Sequence, residues 1–143
     1  MKIVYQQLPD ARLHLYNCDD PKMYKTFMAM SDYCKLPIFL RSLMGPVIDV
    51  VDLYNKADIV VSCLNPLYAR TAVESLACGT KFVSPGYAID NYPFKCEFSP
   101  ESIAAAIIKA WKDKQFEARK WAEDHHSAEE MTKQALNIYE KVL

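Results

Sequence analysis

Arg70 and Glu74 are the residues in this sequence whose types and spacing point most directly to chemistry. Residues four apart on a helix share a face. A helix is expected to begin near Ala69 to Thr71, just after the proline-marked turn at Asn65-Pro66. The first backbone N–H groups of such a helix lack intrahelical partners and carry partial positive charge, so a diphosphate can dock there. Arg70 adds a bidentate charged contact to the same oxygens. Glu74, one turn further in, suits two hydrogen bonds from vicinal hydroxyls such as those of a ribose. Tyr68, Ala69 and Thr71 belong to the same turn and helix start and complete this group. The plain alternative is an i, i+4 ion pair on a solvated helix face, contributing about 0.3 kcal/mol.

The stretch that must position these residues is Asp58 to Gly86. Ile59-Val60-Val61 is β-branched and too short for a stable helix, so it reads as a buried strand. Ala72, Val73, Leu76 and Ala77 then fall on one helical face, and Gly79 supplies the C-terminal stop. Lys81 to Val83 begins a second β-branched and aromatic run. Strand, helix, glycine and strand make a parallel βαβ unit with a right-handed crossover. Ligands of such sheets bind beyond the carboxyl ends of the strands, which places the expected site at Cys63 to Thr71.

Within this stretch, VESLACGTKFVSPG resembles the segment LEAMACGTPVV of retaining, nucleotide-sugar-dependent glycosyltransferases of the GT-B fold (glycosyltransferase group 1). In that family two glutamates spaced eight apart bracket the turn and the helix start. Glu74 matches the second, while Pro66 stands where the first would fall and Leu67-Tyr68-Ala69 replaces the usual Gly-Phe-Gly. The resemblance implies an α/β fold, a Rossmann-like doubly wound parallel sheet of about five strands, forming half of a GT-B enzyme. It implies a nucleoside-diphosphate sugar as donor, Glu74 on the ribose, and no metal. It also places Arg41, just past a strand at Pro37 to Leu40, where the backbone passes close to the nucleotide base. A GT-B active site is a cleft between two domains. An acceptor-binding N-terminal domain or a partner chain is therefore expected to complete it, and the isolated chain to be inactive.

The remaining segments fill out that expectation. Lys2 to Leu8 is a mixed segment ending at Pro9-Asp10, similar to the tail of a family helix. Arg12 to Tyr16 alternates and reads as a strand, with His14 facing solvent. Its edge is expected to be incompletely covered and open to self-association. Asp20 and Pro21 open a helix carrying Met23, Phe27 and Met30, to about Tyr33. Asp49 to Lys56 is a short helix, and Phe94 to Phe98 a short last strand. Ser99-Pro100-Glu101 starts a helix with Ile103, Ile107, Ala110 and Trp111 on its apolar face. Phe116 to Ala122 follows. His125-His126 reads as surface loop rather than metal site. Ser127 and Glu130 form a capping box for a last helix carrying Met131, Leu136, Ile138 and Tyr139.

Composition sets the outer bounds. The chain has 143 residues, 51% hydrophobic and 24% charged, with a net charge of -1, which suits one globular domain. Near-neutral charge disfavours a nucleic-acid surface held by phosphate contacts. No apolar run is long enough to span a membrane and no signal peptide is visible, so the cytoplasm is expected. The five cysteines are widely spaced and read as reduced, packed thiols. With only three glycines, neither GxGxxG nor a GxxxxGK[ST] loop can be present. Three readings stay open: the nucleotide-sugar-binding half of a glycosyltransferase; a non-catalytic binding or scaffolding module derived from one; and an unrelated small α/β domain. The third predicts a self-contained sheet beginning at Lys2 to Gln6.

Overall fold

The computed structural model describes residues 1–14, 21–33, 49–62, 69–87, 89 and 91–142. In order these form α1 (Lys2–Gln7), α2 (Pro21–Tyr33), α3 (Val50–Asn55), β1 (Ile59–Val61), α4 (Ala69–Ala77), β2 (Lys81–Val83), α5 (Pro100–Lys112), α6 (Ala118–His126) and α7 (Ala128–Val142). The strands β1 and β2 are parallel, with Val60 opposite Phe82, and Ser62 N–H donates to the Val83 carbonyl at 3.0 Å.

The central βαβ unit forms where its local signals lie. Asp49 caps α3 by accepting from Asp52 N–H at 2.9 Å. Gly79 ends α4 at φ +86°, the left-handed region that only glycine enters without strain. Its N–H bonds to the Leu76 carbonyl and that of Thr80 to the Ser75 carbonyl, both at 2.9 Å, which is the two-bond Schellman stop. Thr80 then turns its hydroxyl onto the Tyr54 carbonyl at 2.8 Å, tying the end of α3 to the end of α4. Ala72 and Leu76 are fully buried on the face of α4 that meets the core.

The doubly wound, Rossmann-like sheet of about five strands is not what forms. The described chain is mostly helical, and among the described residues the only sheet is the two-stranded β1-β2 pair. Half of a GT-B fold is therefore not the architecture seen. Tyr92 supplies one physical reason. Phe82 directs its N–H and C=O away from β1, where a third strand would pair. The Tyr92 hydroxyl occupies that place, accepting from Phe82 N–H at 3.2 Å and donating to its carbonyl at 2.6 Å. Phe94 to Phe98 is irregular instead of a strand. Phe94 is fully buried, and Glu97 N–H is taken by the Ser102 hydroxyl at 2.9 Å, leaving it none for a ladder. Residues 12–14 have no strand pairing, so the sheet edge expected there is not formed in the described part. Leu15, Tyr16 and the strand at Pro37 to Leu40 lie outside the described residues. Lys2–Gln7 is helical, which overturns the self-contained sheet beginning at that segment.

The core is an aromatic cluster between β2, α4, α5 and α6. Tyr92 is its centre, meeting Tyr87, Phe94, Phe116 and Trp121 edge-on, the geometry that ring quadrupoles favour. Against it α5 lays Ala106 and Ala110 with Ile107 packed alongside, so of the predicted face of Ile103, Ile107, Ala110 and Trp111 the middle two residues meet this cluster. Short side chains let a helix approach the sheet closely, and Trp111 instead lies exposed beneath the Lys114 ammonium. Lys81 closes the C-terminal end of α5, donating to the Ala110 carbonyl at 2.7 Å and to the Asp113 carbonyl. α1 packs on α5 through the buried Val4.

Candidate functional site

α3 and α4 together fix one carboxylate. Glu74 stands one turn inside α4 with its side chain about a third exposed. Arg70 Nε donates to Glu74 Oε1 at 2.8 Å, and the Tyr54 hydroxyl donates to Glu74 Oε2 at 3.2 Å. Tyr54 comes from α3 and is itself buried. Burial first, and the Glu74 charge second, push its hydroxyl pKa up, with a hydrogen bond from Thr71 opposing them. Tyr54 therefore remains a proton donor to the carboxylate at neutral pH.

Charge and hydrogen-bond capacity remain to be used. A carboxylate offers about four acceptor positions, so Tyr54 and Arg70 leave roughly half of them open. A guanidinium has five N–H donors, and Arg70, with an exposed side chain, spends its Nε–H on Glu74. The first turn of α4 contains no acidic residue to compete with an anion. The arrangement can therefore hold a polyhydroxylated, anionic ligand, with hydroxyls on Glu74 and phosphate oxygens on Arg70 and the helix end.

Sequence reasoning brought Arg70, Thr71 and Glu74 to one end of α4, and the structure keeps them there. Ala69 is the first residue of that helix. Tyr68, Arg41 and Pro66 lie outside the described residues. Tyr54 was missed as part of the site. Its signal was its place beside Leu53 on a helix ending just before β1, but its partner lies twenty residues away. The ion pair that forms is also the one a solvated helix face would give, so Tyr54 is what separates this carboxylate from an ordinary surface pair.

His125 and His126 end α6 rather than lying in a surface loop. His125 stacks on Trp121 at 3.9 Å, and His126 Nε2 lies 2.7 Å from the Tyr87 hydroxyl. Among the described residues no group of histidine, cysteine or carboxylate side chains is placed to hold a metal. Cys78 and Cys96 are half-buried; Cys18, Cys34 and Cys63 lie outside the described residues. An open depression of about 570 Å³ is lined by Gln7, Ala105, Ile108 and Lys109, among others. It belongs to α1 and α5 and not to the Glu74 site, and Lys109 there already donates to the Pro93 carbonyl. No helix among the described residues is long and apolar enough to cross a membrane.

No family model, curated protein or solved structure matches the chain. The glycosyltransferase resemblance thus rests on the sequence pattern alone, densest at Tyr54 to Val83.

Proposed function

We propose that this chain binds the nucleoside-diphosphate part of a nucleotide sugar at the N-terminal end of α4. In this reading it is the donor-binding part of a retaining sugar transferase whose acceptor is held by another domain or chain. It acts in the cytoplasm and uses no metal. The observation that carries the reading is Glu74, held by Tyr54 and Arg70 with acceptor positions to spare. Glu74 receives the ribose hydroxyls, and Arg70 with the N–H groups at Ala69 to Thr71 receives the diphosphate. The resemblance of VESLACGT to the family motif supports the same assignment. Pro66, where the family has a glutamate that contacts the transferred sugar, favours a second reading: a module that binds the nucleotide and no longer catalyses.

Calorimetric titration of the purified chain with uridine, adenosine and guanosine diphosphates tests the proposal. One of them is expected to bind saturably at a single site. Arg70→Ala is expected to weaken that diphosphate while sparing the corresponding nucleoside, because only the charged contact is removed. Absence of binding by all three at about 1 mM, the edge of specific affinity, would overturn the proposal.

A further inference from the structure

The last helix carries an apolar face that the described chain leaves uncovered. Met131, Leu136, Ile138 and Tyr139 are 61%, 55%, 64% and 68% exposed on α7. At about 100° per residue they gather with Ala135 on one side, and Glu129, Glu130, Lys133, Gln134, Asn137, Glu140 and Lys141 take the other. The helix meets the rest of the molecule through α6.

The charges flanking this face are self-complementary. Glu130 and Lys141 border one side of the apolar stripe, and Lys133 and Glu140 border the other. Within each flank the acid and the base stand at nearly equal distances on either side of Leu136. Turning a second α7 end for end about Leu136 therefore sets Glu130 against Lys141 and Lys133 against Glu140, each twice. The misfit is about one residue, or 1.5 Å of helix rise, within side-chain reach. The same turn sets the acidic first turn, Glu129 and Glu130, beside the basic last turn of the partner helix. A parallel arrangement would put two acidic first turns side by side. Within one chain Lys133 pairs with Glu129 at 3.3 Å and Glu130 accepts from Gln134 at 3.3 Å. These are exposed contacts that cost little to exchange.

We propose that α7 pairs antiparallel with α7 of a second copy, making the chain a two-fold symmetric homodimer. The occupant of the apolar face is the same face of another molecule. A 15-residue helix is about 22 Å long, and one face of it covers less than the roughly 800 Å² per partner of a standard interface. The dimer is accordingly weak, with a Kd in the micromolar range.

Sedimentation equilibrium on the full chain from about 5 to 500 µM, a span bracketing micromolar affinity, reads the outcome. A monomer–dimer equilibrium is expected, abolished by Ile138→Asp. Glu130→Lys and Lys141→Glu should each weaken it about 3- to 30-fold by setting like charges together. An equimolar mixture of those two variants should dimerise as well as the parent, since each then meets an opposite charge. Ile138 and Lys141 are exposed and Glu130 half-buried, and thermal melts check that each variant folds. A monomer throughout the range overturns the proposal. So does a mixture that associates no better than its components, and so does a Glu130→Lys, Lys141→Glu double variant that associates no better than either single one, since antiparallel pairing restores opposite charges in both.

Discussion

Glu74 is held by two donors of different character, and the difference decides what each contributes. The Arg70 contact is an exposed i, i+4 pair, worth a few tenths of a kcal/mol to folding. The Tyr54 contact comes from a buried hydroxyl on another helix and fixes the carboxylate in one orientation. Tyr54→Phe keeps the ring and removes the donor. The loss of one hydrogen bond predicts nucleoside-diphosphate binding weakened roughly 2- to 12-fold, read by calorimetry, with the fold retained. Unchanged affinity would mean that Tyr54 packs α3 against α4 and does not orient the site. At this scale the sequence was legible only along one helix: Arg70, Thr71 and Glu74 share local spacing, whereas Tyr54 reaches Glu74 across β1 and a turn.

The elements divide according to whether their cause is local. Asp49 before α3, the Gly79-Thr80 stop of α4, Ser99-Pro100 before α5 and Ser127 before α7 are capping signals spoken by adjacent residues, and each helix begins or ends beside its signal. The strands β1 and β2 were legible for the same reason. The size of the sheet was not, because it depends on a tertiary contact. Tyr92, ten residues beyond Phe82, occupies the backbone groups that a neighbouring strand would use. Burial pushes its hydroxyl pKa far up, so it stays a donor. Tyr92→Phe leaves one buried N–H and one buried C=O without a partner at unchanged shape. The expected cost is about 1–3 kcal/mol, visible as a lower urea midpoint at constant slope. A midpoint equal to that of the parent would mean that Phe82 finds other partners there.

For the whole molecule, the aromatic core also sets a pH dependence. The Tyr87 hydroxyl shares a hydrogen bond with His126 Nε2 at 2.7 Å, while Trp121 Nε1 donates to the Tyr87 hydroxyl at 3.4 Å. Burial, and then the nearby His125, lower the His126 pKa from its ordinary 6.5. Protonation is therefore easier in the unfolded chain. Stability is full above about 6.5, the unfolded value, and falls as pH drops from there through the lower folded value. Urea unfolding between about pH 7.5 and pH 5.5 should show that decline, and His126→Gln should flatten it. An unchanged slope in the variant would assign the decline to other groups. The central claim is that Glu74 serves a ligand and not the fold, and its test pairs two readings on Glu74→Ala. Loss of a charged hydrogen bond, about 1.5–3 kcal/mol, predicts nucleoside-diphosphate binding weakened roughly 10- to 150-fold in calorimetry, with the melting temperature little changed. Parent-like affinity together with a small loss of stability would contradict the account and leave Arg70 and Glu74 as a surface ion pair.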